Sequence, residues 1–269
     1  MVPVSSIVIL AVDALIGIAL PLCLSYYLVR KFSARTSTIL IGAGTFFLFA
    51  LVLETIVHQL VLKGPHGEAI IGNTLWYALY GGLAAGLFEE TGRFLSMRFL
   101  MKREPSTRIP ALAYGVGHGG IEMILIFGLT MISNLALALM INTGQADTIL
   151  ANAPSAADQM KVQIEQMQQS SAWTWLIGLW ERLSALILHL GLSLMVWAAV
   201  RKGGKWLLLF PAAIAMHAFV DASAVMLNKS IGMVPLEIII SAEAIATAAI
   251  GYMVTKSSDS DNTPILKGA

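Results

Sequence analysis

The sequence predicts an all-α, polytopic membrane helical bundle. Of its 269 residues, 57% are hydrophobic and only 12% are charged, whereas a soluble domain carries about a quarter charged residues. Seven apolar stretches reach the length of about 20 residues that crosses a bilayer. Basic residues concentrate in alternate short loops, as cytoplasmic loops do. Strand-period patterns are absent, and closed barrels do not have such long apolar runs.

The stretches lie near 6–29, 38–62, 69–92, 110–142, 173–200, 206–227 and 233–255. The first lacks a basic leader and is long enough to span, so it reads as a helix rather than a cleaved signal. Arg30, Lys31 and Arg35 follow it. Arg93, Arg98, Lys102, Arg103 and Arg108 follow the third stretch, Arg201, Lys202 and Lys205 the fifth, and Lys256 and Lys267 the seventh. The intervening loops carry only Lys63, Lys161 and Lys229. This alternation puts the N-terminus outside and the C-terminus in the cytoplasm of a bacterial-type inner membrane. The stretch 110–142 is long for one span, so it tilts, breaks or projects beyond the bilayer. Residues 143–172 form an extracytoplasmic helix-loop element near the surface, Gln-rich from Gln159 to Gln169. The chain is then one transmembrane domain, 1–256, followed by a polar, disordered cytoplasmic tail, 257–269. Its net charge of +1 gives no sign of a nucleic-acid partner, and a single cysteine, Cys23, excludes both an internal disulfide and a multi-thiolate metal site. There is no internal repeat of the kind that builds transporters.

Ionisable residues inside these apolar stretches are costly and mark sites. Glu89 with Arg93, His118 with Glu122, and His217 with Asp221 are each four apart, and Arg182 and His189 are seven apart. Such spacings place each pair on one helix face. Counting about 1.5 Å per residue, His118 lies about 12 Å in from Pro110, and Glu89 about 13 Å in from Arg98. His189 and His217 lie about 18 Å in from Arg201 and Lys205. Four helices therefore bring ligand-type side chains to a similar depth. Neutral imidazoles with a carboxylate are the usual ligands of a catalytic zinc that keeps one position for water, and a second carboxylate can act as base toward that water. His118, His189 and His217 are the candidate metal ligands, with Glu122 and Asp221 joining them or fixing their tautomers. Glu89, Glu90 and Arg93 are the candidate catalytic residues, and Arg93 either neutralises a glutamate or grips a substrate carbonyl or carboxylate. The reaction class is metal-assisted hydrolysis inside the membrane, with a zinc ion as cofactor. The cavity is expected to face the cytoplasm.

Two motifs remain open on spacing alone. Glu54 and His58 are also four apart, toward the outer end of the second stretch, and suit either a structural contact with Arg182 or an outer gate. Gly115, Gly117, Gly119 and Gly120 around His118 suit either tight helix packing or close approach of a substrate backbone.

The runs Phe88-Glu89-Glu90-Thr91-Gly92-Arg93, Gly117-His118-Gly119-Gly120-Ile121-Glu122 and His217-Ala218-Phe219-Val220-Asp221 resemble the motifs of the YhfC group. That group is similar to the CAAX-processing (ABI) superfamily of intramembrane proteases. Order and approximate spacing match over residues 88–221. The resemblance implies peptide hydrolysis within the membrane, water activated by Glu89 or Glu90, the first by the superfamily's usage, and help from His118, His217 and Asp221. The superfamily has been read both as metalloproteases and as glutamate proteases. Here Arg follows the glutamates as Glu-Glu-x-x-Arg rather than Glu-Glu-x-x-x-Arg, and Glu122 is additional, so a prenylated substrate does not carry over. The rival readings are a proton-coupled transporter or channel using the same residues as a relay, and a non-catalytic membrane scaffold.

Overall fold

The structure, a computed structural model, describes residues 1–145, 148, 150–151 and 157–260. Nine helices can be followed, with no strand among the described residues. They are α1 (Val4–Phe32), α2 (Thr36–Leu62), α3 (Gly67–Ile71), α4 (Thr74–Leu95), α5 (Ile109–Asn142), α6 (Ala157–Gln169), α7 (Ala172–Lys202), α8 (Gly204–Leu227) and α9 (Met233–Ser260).

Among the described residues six helices are long and apolar enough to cross a bilayer: α1, α2, α5, α7, α8 and α9. The seventh expected stretch, 69–92, divides differently. Its first residues form the one-turn α3. Asn73 then caps α4, accepting from the backbone N–H groups of Leu75 and Trp76. At 22 residues α4 is long enough to span, at about 33 Å. It falls short only in apolarity, because it carries the paired glutamates, Arg93, two tyrosines and several glycines. The long 110–142 stretch is helical from end to end. Part of 143–172 is the helix α6, while residues 146–147, 149 and 152–156 of that expected loop lie outside the described residues. Helix α9 runs to Ser260, four residues into the expected disordered tail, and 261–269 lie outside the described residues.

Two compact units make up the chain. One comprises residues 1–20 and 123–182, and the other 21–122 and the chain from Leu183 onward. In the first, Val2 and Asn142 exchange hydrogen bonds of 2.7 and 2.9 Å. In the second, helices meet backbone to backbone. A Cβ on Gly42 of α2 would lie 2.2 Å from the Tyr114 carbonyl of α5. One on Gly82 of α4 would lie 2.3 Å from the Ala218 carbonyl of α8. No larger residue fits at either crossing, which is how small residues let membrane helices approach. The core of this unit is built from Met97, Met101, Tyr114, Leu192, Met195, Val196 and Trp197, all at most 1% exposed.

Among the described residues three segments are π-helical: Phe47–Glu54 within α2, Ser96–Leu100 directly after α4, and Met123–Gly128 within α5. Such wide turns recur at functional sites. Here Glu54 ends one, Glu122 immediately precedes another, and the third begins three residues after Arg93.

Candidate metal and acid–base centre

Each candidate side chain comes from the helix expected to carry it. Glu89, Glu90 and Arg93 project from α4, His118 and Glu122 from α5, His189 from α7, and His217 and Asp221 from α8. All lie in the second compact unit. His118, Glu90 and Arg93 are fully buried, and Glu89, His189 and His217 nearly so. The three imidazoles follow one another in a row: ring centroids are 5.0 Å apart for His118 and His189, and 5.5 Å for His189 and His217.

One half of the centre gathers ligand-type atoms. His118 Nε2 is in hydrogen-bond contact with Glu89 Oε2 at 2.8 Å, and the same oxygen lies 3.9 Å from His189 Nδ1. One ligand atom each from Glu89, His118 and His189 falls within 4.8 Å of the others. His118 is wedged in place by Tyr114, stacked at 5.8 Å, and by Phe46, edge-on at 5.3 Å. Its Nδ1 is buried without a hydrogen-bond partner.

The other half is a chain of ion pairs and hydrogen bonds. Glu90 Oε1 pairs with Arg93 Nη1 at 3.2 Å and hydrogen-bonds with His217 Nδ1 at 2.9 Å. His217 Nε2 lies 3.6 Å from Asp221 Oδ2. Arg93 also donates from Nη2 to His189 Nδ1 at 3.1 Å. A guanidinium can only donate, so His189 Nδ1 must be the lone-pair nitrogen. Its proton therefore sits on Nε2, which lies 2.5 Å from Glu122 Oε2. Arg93 thus fixes the His189 tautomer and links the two halves.

The donor chemistry fits a divalent ion. Two imidazoles and one carboxylate, with an open fourth position, form a catalytic zinc set. With bonds of 2.0–2.1 Å, tetrahedral ligand atoms stand about 3.3 Å apart, so the triple would close by about 1.5 Å at most. An ion can take the His189 Nδ1 lone pair when Arg93 releases it, and Arg93 then keeps Glu90 as its partner.

The expected residues therefore do converge, but they sort in an unforeseen way. Glu89 stands among the ligand atoms, and Glu90 is the partner of Arg93. His217 stands with Glu90 and Asp221 rather than within the close triple. Glu122 meets His189, a contact between α5 and α7 that local spacing cannot reveal. The four glycines around His118 are all taken up by packing, against Leu190 and Ser193, Ile39, His189, and Pro21 in turn. Arg182 pairs with its neighbour Glu181. Glu54 meets His58 Nε2 at 3.1 Å, and His58 Nδ1 continues to the Tyr80 hydroxyl at 2.8 Å. Tyr80 and Tyr114 were not singled out by sequence. Tyr114 precedes His118 by one helical turn, the only signal that could have found it.

A family model described as the YhfC intramembrane metalloprotease matches residues 16–245, a span containing every residue of the centre. The chain belongs to that family. A relative from Bacillus subtilis (strain 168), named an uncharacterized membrane protein YhfC, is 40% identical over 232 residues. The aligned region covers 86% of this chain and 88% of the relative. No solved structure matches. With six apolar helices of spanning length and this kinship, the chain is a multi-pass membrane protein.

Proposed function

We propose that the protein is a metal-dependent hydrolase that cleaves a peptide bond of a membrane-associated peptide or protein. The observation that carries this reading is the convergence of Glu89, His118 and His189 beside a separate carboxylate–imidazole chain. The family's description as an intramembrane metalloprotease supports it.

Glu89, His118 and His189 would hold a zinc ion, which supplies Lewis-acid polarisation of the scissile carbonyl and a nucleophilic water at neutral pH. Glu90 is the base. Its Oε1 is held by Arg93 and His217, while its Oε2 is buried with no hydrogen-bond partner, which leaves that oxygen to accept a proton. His217 lies between Glu90 and Asp221 and can pass the proton outward, or return it to the departing amine. Arg93 pairs with Glu90 in a nonpolar setting and orients His189. Glu122, whose Oε2 lies beside His189 Nε2, would serve as the carboxylate partner of a ligating imidazole.

A relay transporter would need a route to both membrane faces. The face of the centre toward the basic loops is filled by Met97, Tyr114, Leu192 and Met195, which favours the hydrolase.

The test is metal content and cleavage measured on one preparation. Purified protein should carry about one zinc per chain and cut a membrane-tethered reporter. Chelation should stop cleavage, and added zinc should restore it. Metal-free protein that cuts at full rate would remove the ion from this reading.

A further inference from the structure

The centre is closed at one end and open at the other, and the open end is opposite to the one expected from sequence. Consider the turn of each helix next to the site, on the side of the basic loops. On α4, Met97 follows Arg93 by four residues. On α5, Tyr114 precedes His118 by four. On α7, Leu192 follows His189 by three, and on α8, Ala213 precedes His217 by four. All four are 0–1% exposed and belong to one apolar cluster with Met101, Met195 and Trp197. This layer is apolar and buried.

The opposite side differs in every respect. Asp221, one turn beyond His217, lies deep among other groups, yet 38% of its side chain is accessible. An accessible carboxylate at that depth faces water, because facing hydrocarbon is costly. Glu54 on α2 borders the same region, within the electrostatic reach of Glu89, His217 and Asp221. Beyond Glu54 the polar lining continues through His58, whose side chain is one-third exposed, to Tyr80. Further out, a cavity of about 400 Å³ is lined by Leu62, Thr74, Tyr77, Val225, Asn228 and Lys229, with Ile71 at its edge.

Helical spacing connects that cavity to the centre along three helices. Glu54, His58 and Leu62 are successive fours on α2. Asp221, Val225 and Asn228 share one face of α8. Tyr80, Tyr77 and Thr74 descend one side of α4. From the centre to the cavity is about 18 Å along α4, from Glu89 to Tyr77, and about 12 Å along α8, from His217 to Val225, by the rise per residue.

We propose that water and the substrate's scissile segment reach the centre from the membrane face opposite the basic loops. The path runs through the cavity at Thr74, Tyr77 and Asn228 and past His58, Glu54 and Asp221. The substrate is then a peptide segment presented at that face, and Glu54 and Asp221 line its last turn before Glu89. The carboxyl groups of Glu54 and Asp221 along the path can accept hydrogen bonds from a segment with free backbone N–H groups. The direction of the path rests on geometry alone, and only the identity of what travels rests on the hydrolase reading.

The test compares thiol reactivity at two positions equally far from His217 on α8. In a Cys23→Ala background, Asp221→Cys and Ala213→Cys are made one at a time, with Glu54→Cys as a second probe of the open side. Asn228→Cys and Arg98→Cys mark the two membrane faces. Each variant is reconstituted into vesicles as a monodisperse protein and treated with a charged, membrane-impermeant methanethiosulfonate. Asp221→Cys and Glu54→Cys should react about tenfold or more faster than Ala213→Cys, which is reached only by local opening. They should do so from the face that labels Asn228→Cys. Reaction of Asp221→Cys and Glu54→Cys only from the face that labels Arg98→Cys would overturn the proposal. So would rates no faster than that of Ala213→Cys. Reporter cleavage by the Cys23→Ala protein is scored separately. Labelling as expected without cleavage keeps the path and removes the protease. Cleavage with labelling from the basic face removes the path and keeps the protease.

Discussion

The two halves of the buried centre use the same residue types to different ends. Around Glu89, a carboxylate and two imidazoles turn ligand atoms toward one point. Around Glu90, a carboxylate, an imidazole and a second carboxylate lie in a line, each passing a hydrogen bond to the next or standing close to it. Convergent lone pairs suit an ion, and a linear chain suits a proton. The side chains alone do not make the difference, since Glu89 and Glu90 are chemically identical neighbours. It comes from the turn of about 100° between consecutive helical residues, which aims one at α5 and the other at α8.

This contrast can be broken most severely at the convergent half. Glu89→Gln, His118→Gln and His189→Gln should each lose the bound metal and reduce reporter cleavage to background, read by elemental analysis and gel assay. Full metal content in Glu89→Gln would return Glu89 to the role of base that the family resemblance implies. The linear half should respond differently. Glu90→Gln should keep its metal but cleave about 10²–10⁴-fold more slowly, the usual contribution of a general base. If it loses metal as well, the two halves are one. The link between them is Arg93. Arg93→Met leaves Glu90 buried without its counter-charge and should cost on the order of 3–5 kcal/mol, seen as a lower unfolding temperature in detergent. Asp221→Asn, at the wet end of the line, should slow cleavage by only about tenfold with metal and stability unchanged. The gentlest test concerns direction alone. Cysteines placed at 102–107 should be labelled only from the cytoplasmic side of intact cells, and cysteines at 157–165 from outside. The reverse pattern would invert the orientation without disturbing either half.

The sequence showed which side chains gather, and it did so through spacing. His118 and Glu122, or His217 and Asp221, share a face because four residues make about one turn. Spacing could not tell which carboxylate Arg93 would choose, because positions three and four back are both neighbours. Glu90 won because α8 offers it His217 as a second donor. Nor could spacing show that His189 meets Glu122, a contact between helices. The cytoplasm-facing cavity was expected from depth alone, and depth says nothing about what fills the space on either side. Met97 and Leu192 read as ordinary apolar residues, and only packing reveals them as a seal. The spanning stretches were legible as composition. The division at Asn73 was less so, because a one-turn helix and a cap leave the run of apolar residues almost unbroken.

The three π segments carry a consequence for how this chain tolerates change in length. A π turn closes its hydrogen bond one residue later than an α turn, so it holds one residue more than the regular helix around it. Deleting a single residue within 47–53 can tighten the turn into α-helix and leave the packed ends of α2 in phase. The same deletion in α7, which is regular throughout, would rotate everything beyond it by about 100° and swing His189 away from Glu122. Among the described residues there are therefore three joints where a residue can be gained or lost cheaply, one ending at Glu54, one following Glu122 and one starting three residues after Arg93. Small shifts in chain length at these joints can re-aim the chemistry while the scaffold of glycine-packed helices stands still.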